Sequence, residues 1–324
     1  MGRQKKGRAL DGVLLLDKPL GLSSNHALMR AKRLFFAAKA GHTGSLDPLA
    51  TGLLPICFGE ATKFSQFLLD ADKRYQCTFR LGETTSTGDA DGEVLSQTNT
   101  DGLTRDQVQS ALAQLEGDIM QVPPMYSALK HQGQPLYKLA REGKEVERKA
   151  RPVSIYGIEL LAFRPGAAAE VDVEVHCSKG TYIRTLAEDL GAALGCGARV
   201  DALRRVATGL FDLSRATTLE ALEAERGEGL AEQLDHHLLP SDAPVASLPA
   251  LILPEASGYY FRLGNPVMDP QVYRLGDEGD MVRVFLGDEK QFLGLGELTD
   301  DGQVAPRRLV ANQAVVGSPD PICS

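Results

Sequence analysis

The sequence predicts an α+β protein in two parts, and three observations support this. At 324 residues the chain is long for one domain. Strand-like and helix-like patterns follow one another through its first 245 residues. Then Leu239-Pro240-Ser241-Asp242-Ala243-Pro244 and Pro249 read as a linker, beyond which short strand-like runs alternate with Gly/Asp turns. A small β-barrel or sandwich fits that last pattern. We set the parts at residues 1–245 and 250–314, with 315–324 a loose tail.

In chain order, Leu14-Leu15-Leu16 is a buried strand that runs into the turn Asp17-Lys18-Pro19-Leu20-Gly21. Ser23 or Ser24 caps a helix to about Phe36, with Leu28, Ala31, Leu34 and Phe35 on one face. Leu53 to Phe58 is a short buried strand, and Glu60 to Asp70 a helix burying Phe64, Phe67 and Leu68. Tyr75, Cys77, Phe79 and Leu81 alternate with polar residues, the period of a half-buried strand. Thr84 to Gly92 is a polar loop that lacks the distal glutamate of a calcium loop. Thr104 to Gln107 is a capping box opening a helix. Pro123 to Pro152 has weak periodicity and reads as a long loop of the kind that is functional or disordered. Val171 to Cys177 alternates as a strand, and a helix follows from about Tyr182 to Leu194. After Leu203-Arg204-Arg205 comes an acidic, Ala/Leu/Glu-rich helical segment. Val282–Leu286 and Phe292–Gly296 are strands of the second part, with Arg307-Arg308 in its last.

No apolar run approaches the ~20 residues that span a bilayer, and Gly12–Leu16 is too short for a signal-peptide core. A cytoplasmic monomer is the expectation. Cys57, Cys77, Cys177, Cys196 and Cys323 are scattered, so they are expected as core hydrophobes and a tail thiol rather than disulfides or zinc ligands. His236 and His237, adjacent on a helix end, are expected to point in different directions into solvent. The net charge of −8 disfavours a nucleic-acid partner, but the charge is uneven. Between Lys130 and Arg151, seven Lys/Arg stand against three Glu, residues 1–8 are basic, and Glu220 to Asp242 is acidic.

The stretch from Gly41 to Gly52 places one carboxylate, Asp47, among three glycines and before Pro48, with His42 its only ionisable neighbour. Gly admits unusual dihedrals and Pro excludes the α region for the residue before it, so Asp47 sits in a constrained extended loop. Taken alone, this is a tight turn with an Asx cap.

Seven stretches, in order, resemble the TruB-type tRNA pseudouridine-55 synthases. They are Asp17 to Ser24, Gly41 to Phe64, Lys73-Arg74-Tyr75, Pro124 to Lys130, His176 to Thr185, Leu203-Arg204-Arg205, and Val304 to Leu309. The resemblance runs from near residue 11 to about 311, and the C-terminal part resembles a PUA domain. It implies a mixed, largely antiparallel sheet with flanking helices, and the isomerisation of uridine 55 in the tRNA T-loop. The bond to N1 is cut, the uracil turns, and C5 is joined to the sugar. That change is redox-neutral and adds no group, so no cofactor or metal is implied.

By this resemblance Asp47 is the nucleophile, at C1′ or C6, and Arg184 pairs with it and would depress its pKa. Tyr75 stacks on the uracil. Tyr182 takes the C5 proton, which a phenol does poorly without a neighbouring charge. His42 fills the space left by the flipped nucleotide. Asp89 buttresses Arg184, and Leu203 lines the uracil pocket. Lys18, Pro19 and Lys130 belong to an RNA-facing or supporting shell. The basic 123–152 insertion grips phosphates, and the glycines around Asp47 admit the RNA backbone. A tRNA-binding factor without catalysis would not need Asp47, Tyr75, Tyr182 and Arg184 together, and a glycosidase would release uracil.

Overall fold

A computed structural model describes residues 7–311. The tail 315–324, Cys323 and all but the end of the basic N-terminal octet lie outside the described residues. The principal strands of the first part's sheet, with two helices packed on it, are β1 (Gly12–Lys18), α1 (Ser24–Leu34), β2 (Ala50–Phe58), β3 (Lys73–Leu81), β4 (Gly117–Gln121), β5 (Arg151–Arg164), β6 (Glu170–Cys177), α2 (Ile183–Ala193) and β7 (Ala198–Thr208). The sheet order is Thr217–Thr218, β1, β2, β7, β3, β6, β5, β4. Two pairings along this order are parallel, β7 on β2 and Thr217–Thr218 on β1, and the others are antiparallel. The expected mixed, largely antiparallel sheet is present.

Its apolar side chains form two adjoining cores. Phe79, Val171, Val173 and Val175 pack under Leu186 and Leu190 of α2, and Leu14, Leu16, Leu54 and Ile56 under Ala27 and Ala31 of α1. Tyr75 and Leu203 are half-buried and touch both cores, so they stand on the seam between them. Their strands, β3 and β7, are neighbours, with Leu203 opposite Cys77 and Arg205 opposite Tyr75.

The second part is a five-stranded sheet of β8 (Ala250–Leu253), β9 (Val267–Met268), β10 (Met281–Leu286), β11 (Gln291–Leu298) and β12 (Gln303–Leu309), in the order β8-β10-β11-β12-β9. It packs over Phe261 of the helix Glu255–Arg262. It meets the first part through Phe64, Val245 and Leu295 and an Arg283–Asp242 ion pair at 2.8 Å.

Several local readings change. Residues 59–70 are a 3₁₀ turn followed by a short α-helix, so Phe64 and Leu68 share the buried face while Phe67 is exposed. The helix begun by Ser23 ends at Leu34, because Phe36 takes a φ of 48° and reverses the chain. The 123–152 segment holds a tight hairpin, Lys130–His131 with Gln134–Pro135, and a helix at Leu136–Arg141 that buries Leu136 and Leu139. Two buried residues are too few for a helical period to show. His236 and His237 do not diverge: a 3₁₀ turn brings their rings to 4.1 Å, and both Nε2 atoms meet Glu225, at 3.4 and 2.7 Å. The cysteines at 57, 77, 177 and 196 are free and buried, as expected.

Candidate active site

Asp47 lies in the connection between Ala40–His42 and β2, with no helical residue beside it. Its carbonyl accepts from Ala50 N–H at 3.0 Å, so Asp47-Pro48 does form the turn a bare reading suggests. The carboxylate is not consumed as a cap, however. Its Oδ2 lies 3.0 Å from Arg184 Nη2 and its side chain is 46% exposed. One of the three glycines serves otherwise than expected. A Cβ on Gly52, where φ is 98°, would stand 2.2 Å from the Arg205 carbonyl oxygen. That glycine admits the protein's own strand β7, not an RNA backbone.

Arg184, in the first turn of α2, is nearly buried and fully engaged. Besides Asp47 it meets Asp89 Oδ2 at 3.5 Å through Nη1, and donates to Thr87 O at 3.1 Å and Tyr126 O at 2.7 Å. One guanidinium thus joins the catalytic loop, the 84–92 loop and the start of the insertion. Asp89 is itself fixed, accepting from Thr87 Oγ1 at 2.5 Å and Asp91 N–H at 3.2 Å. It is buried against Arg184 and does not line the cavity that Asp47 and Arg184 line, a placement that suits a buttress better than a substrate ligand. Contrary to expectation, Arg184 does not bring the Asp47 pKa below the ordinary range. Partial loss of water at the carboxyl raises it by more than Arg184 and Lys18 lower it, with Asp89 adding to the rise.

Tyr75, Leu203, Asp47, Arg184 and Tyr182 line one cavity of about 320 Å³, closed from below by Arg205 and Lys73 and flanked by Tyr126 and Ser127. Tyr182 precedes α2. Its backbone is clamped by the buried Gln121, which accepts from Tyr182 N–H at 2.7 Å and donates to its carbonyl at 3.1 Å. Burial raises the Tyr182 phenol, with Arg184 and Arg151 opposing. The neighbouring cations therefore do not make it a ready base in the resting site. Burial also raises the Tyr75 phenol, with Arg205 opposing. His42 sits on the strand that enters the loop; burial and then Arg205 lower its pKa, and its Nδ1 is buried without a hydrogen-bond partner. The ring is therefore neutral at physiological pH.

Lys18 is fully buried, and its ammonium donates to the Pro19 and Leu22 carbonyls at 2.9 and 2.7 Å. It supports the loop from inside and cannot meet a phosphate. Lys130 is exposed, on the insertion's hairpin. Two supports had no assigned role in the sequence. Arg205, buried, donates to Leu53 O at 2.7 Å and Gly44 O at 3.1 Å. Gln121 holds Tyr182 as described. Arg205 stood inside a matched motif, so the signal was there; Gln121, ahead of the matched Pro124, gave none. Among the described residues, one group could bring three ligand atoms to a metal, Glu225, His236 and His237, and it lies on the surface as an ordinary ion-pair cluster.

Comparison with known proteins decides the family. Models described as TruB family pseudouridylate synthase (N terminal domain), tRNA pseudouridylate synthase B C-terminal domain, and pseudouridine synthase II TruB, C-terminal, match residues 32–183, 184–246 and 249–310. The chain belongs to the TruB family. A relative from Saccharophagus degradans named tRNA pseudouridine synthase B is 62% identical over 96% of this chain and 99% of its own. One of that name from Pseudomonas aeruginosa is 55% identical over 94% and 97%. Among solved structures, a Cbf5-Nop10-Gar1 complex contains a chain that aligns with a TM-score of 0.68 at 25% identity, over 92% of this chain and 84% of that one. The TruB-type chain is thus matched in sequence along both its parts.

Proposed function

We propose that this chain is a tRNA pseudouridine-55 synthase, an isomerase acting on the T-arm as a cytoplasmic monomer. The near-full-length identity to relatives named tRNA pseudouridine synthase B supports the activity. The observation that carries the chemistry is one partly exposed carboxylate, Asp47, ion-paired to a buried arginine in a cavity walled by Tyr75 and Leu203. That cavity suits a single flipped base: an aromatic face on one side, an apolar edge on the other, a carboxylate at its rim.

In this reading Asp47 attacks the uridine, at C1′ or C6, and the N1–C1′ bond breaks. The uracil turns against Tyr75 and Leu203, C5 bonds to C1′, and the bond made by Asp47 breaks, returning the free carboxylate. The C5 proton leaves toward Tyr182 and N1 gains one, so atoms and charge balance. The Tyr182 phenol is protonated at rest and burial raises its pKa further, so as it accepts the C5 proton it passes its own on toward N1. Neutral His42 occupies the gap in the T-loop. The exposed Lys130, Lys138, Arg141, Lys144 and Lys149 on the insertion grip phosphates. Residues 1–245 act as the catalytic domain and 250–314 as a PUA-like RNA-binding domain.

The test is incubation with a tRNA transcript, then nuclease digestion and intact-mass measurement. Pseudouridine at position 55 with unchanged mass is expected. Free uracil would mean a glycosidase, and tight binding without conversion a binding factor.

A further inference from the structure

Beside the Asp47 loop runs a second loop, Pro19 to Leu22, whose backbone is hydrogen-bonded at several points. The buried Lys18 ammonium caps two of its carbonyls, Pro19 O and Leu22 O. Burial lowers the Lys18 pKa to about 8, with Asp47 opposing, so this anchoring cation stands near the catalytic carboxylate. Gly21 N–H donates to Pro48 O at 2.8 Å, and Ser24 Oγ both accepts from Leu46 N–H at 2.7 Å and donates to Leu46 O at 3.0 Å. The loop is therefore fastened to the residues on either side of Asp47. Its apex is Leu20, whose surface is 67% exposed, next to the exposed Gly21 and across from the exposed Pro48. A scattered exposed leucine needs no explanation. This one sits next to Gly21, whose N–H is bonded to Pro48, in a loop whose carbonyls are tied down by a buried ammonium.

We propose that Leu20 is a substrate-contacting residue: an apolar wedge that packs against a nucleotide flanking the target uridine and helps keep that uridine out of its stack. An apolar side chain inserted at a base step is a known means of unstacking nucleic acid. The flanking base loses its neighbour when the uridine leaves, and a rigid leucine covers the uncovered face at no ordering cost. The proposal rests on the isomerase reading above.

The experiment compares unsubstituted protein with Leu20→Ala, Leu20→Asp and Leu20→Met on one tRNA transcript, reading kcat, KM and melting temperature. A transcript with 2-aminopurine beside position 55 reports unstacking. Because Leu20 is exposed, all three variants should melt with the unsubstituted protein. Leu20→Ala should lose roughly tenfold in kcat/KM, Leu20→Asp more, and Leu20→Met little. The fluorescence rise on binding should shrink in the same order. Alanine and aspartate variants within twofold of the unsubstituted protein, or losses that merely follow a lowered melting temperature, overturn the contact while leaving the isomerase reading intact. No conversion by the unsubstituted protein overturns both.

Discussion

The base cavity and the basic insertion hold charge in opposite ways. In the cavity Arg184 is nearly sealed from water, shared between Asp47, Asp89 and two carbonyls. In the insertion, Lys138, Arg141, Lys144 and Lys149 stand in solvent, and the pairs they and Arg148 form are the surface kind, such as Lys144–Glu142 at 2.8 Å and Arg148–Glu145 at 3.1 Å. Buried charges in fixed geometry are strong, scarcely screened and intolerant of change. Exposed charges are weak singly, screened by salt and interchangeable. Chemistry belongs to the first kind and grip to the second, which is how a chain of net charge −8 can hold RNA locally.

The largest effect should come from Asp47→Asn, which keeps the shape and removes the nucleophile. Turnover measured by tritium release from C5-labelled tRNA should fall by at least about 10³-fold, with tRNA binding preserved. Full turnover would refute the assignment. Next is Arg184→Met. It strands the buried Asp89 and leaves Asp47 without its partner, so kcat should fall about 10²- to 10³-fold. The melting temperature should fall with it, since breaking a buried pair costs about 3–5 kcal/mol. If stability drops and kcat does not, the network is structural only.

These same residues mark what could be read in advance. Asp47, Tyr75, the Tyr182–Arg184 segment and Leu203 come from separate parts of the chain, yet the fold brings them to one cavity. Strand alternation at Tyr75 and the glycines and proline around Asp47 are local signals, and the strands and most helices were legible for the same reason. The Asp47 pKa was not. Its direction depends on how much water the folded chain removes, and no motif states that. For Lys18 the motif leaves an RNA-facing and a supporting place both open, and its position at the end of the largely buried strand β1 turns the ammonium inward onto backbone oxygens. Gln121 escaped notice because a neutral side chain bonding a peptide group leaves no pattern in composition or charge.

The raised Asp47 pKa also predicts a pH profile. Attack requires the ionised form, so kcat/KM should fall about tenfold per unit on the acid side of an inflection lying above the ordinary carboxylate value of ~3.9. The sign for stability is opposite. The folded chain holds this proton more tightly than the unfolded chain, so the group favours folding at low pH, and that contribution is lost as pH rises through the folded value. Asp47→Asn should therefore melt no lower than the unsubstituted protein near neutrality. A profile flat down to pH ~4 would show that the buried setting does not govern this carboxyl.

The smallest effect is expected where the charges are exposed. Replacing Lys138, Arg141, Lys144 or Lys149 singly by Ala should raise KM a few-fold at moderate salt and leave kcat alone, since each contributes one screened phosphate contact. The sharper reading is the salt slope. Each lost contact should make the plot of log binding constant against log salt shallower by about one unit, while an Arg184 variant should leave the slope unchanged. A four-fold alanine variant with the original slope would show that the grip lies elsewhere. An altered slope on changing Arg184 would show that the cavity and the insertion are not electrostatically separate.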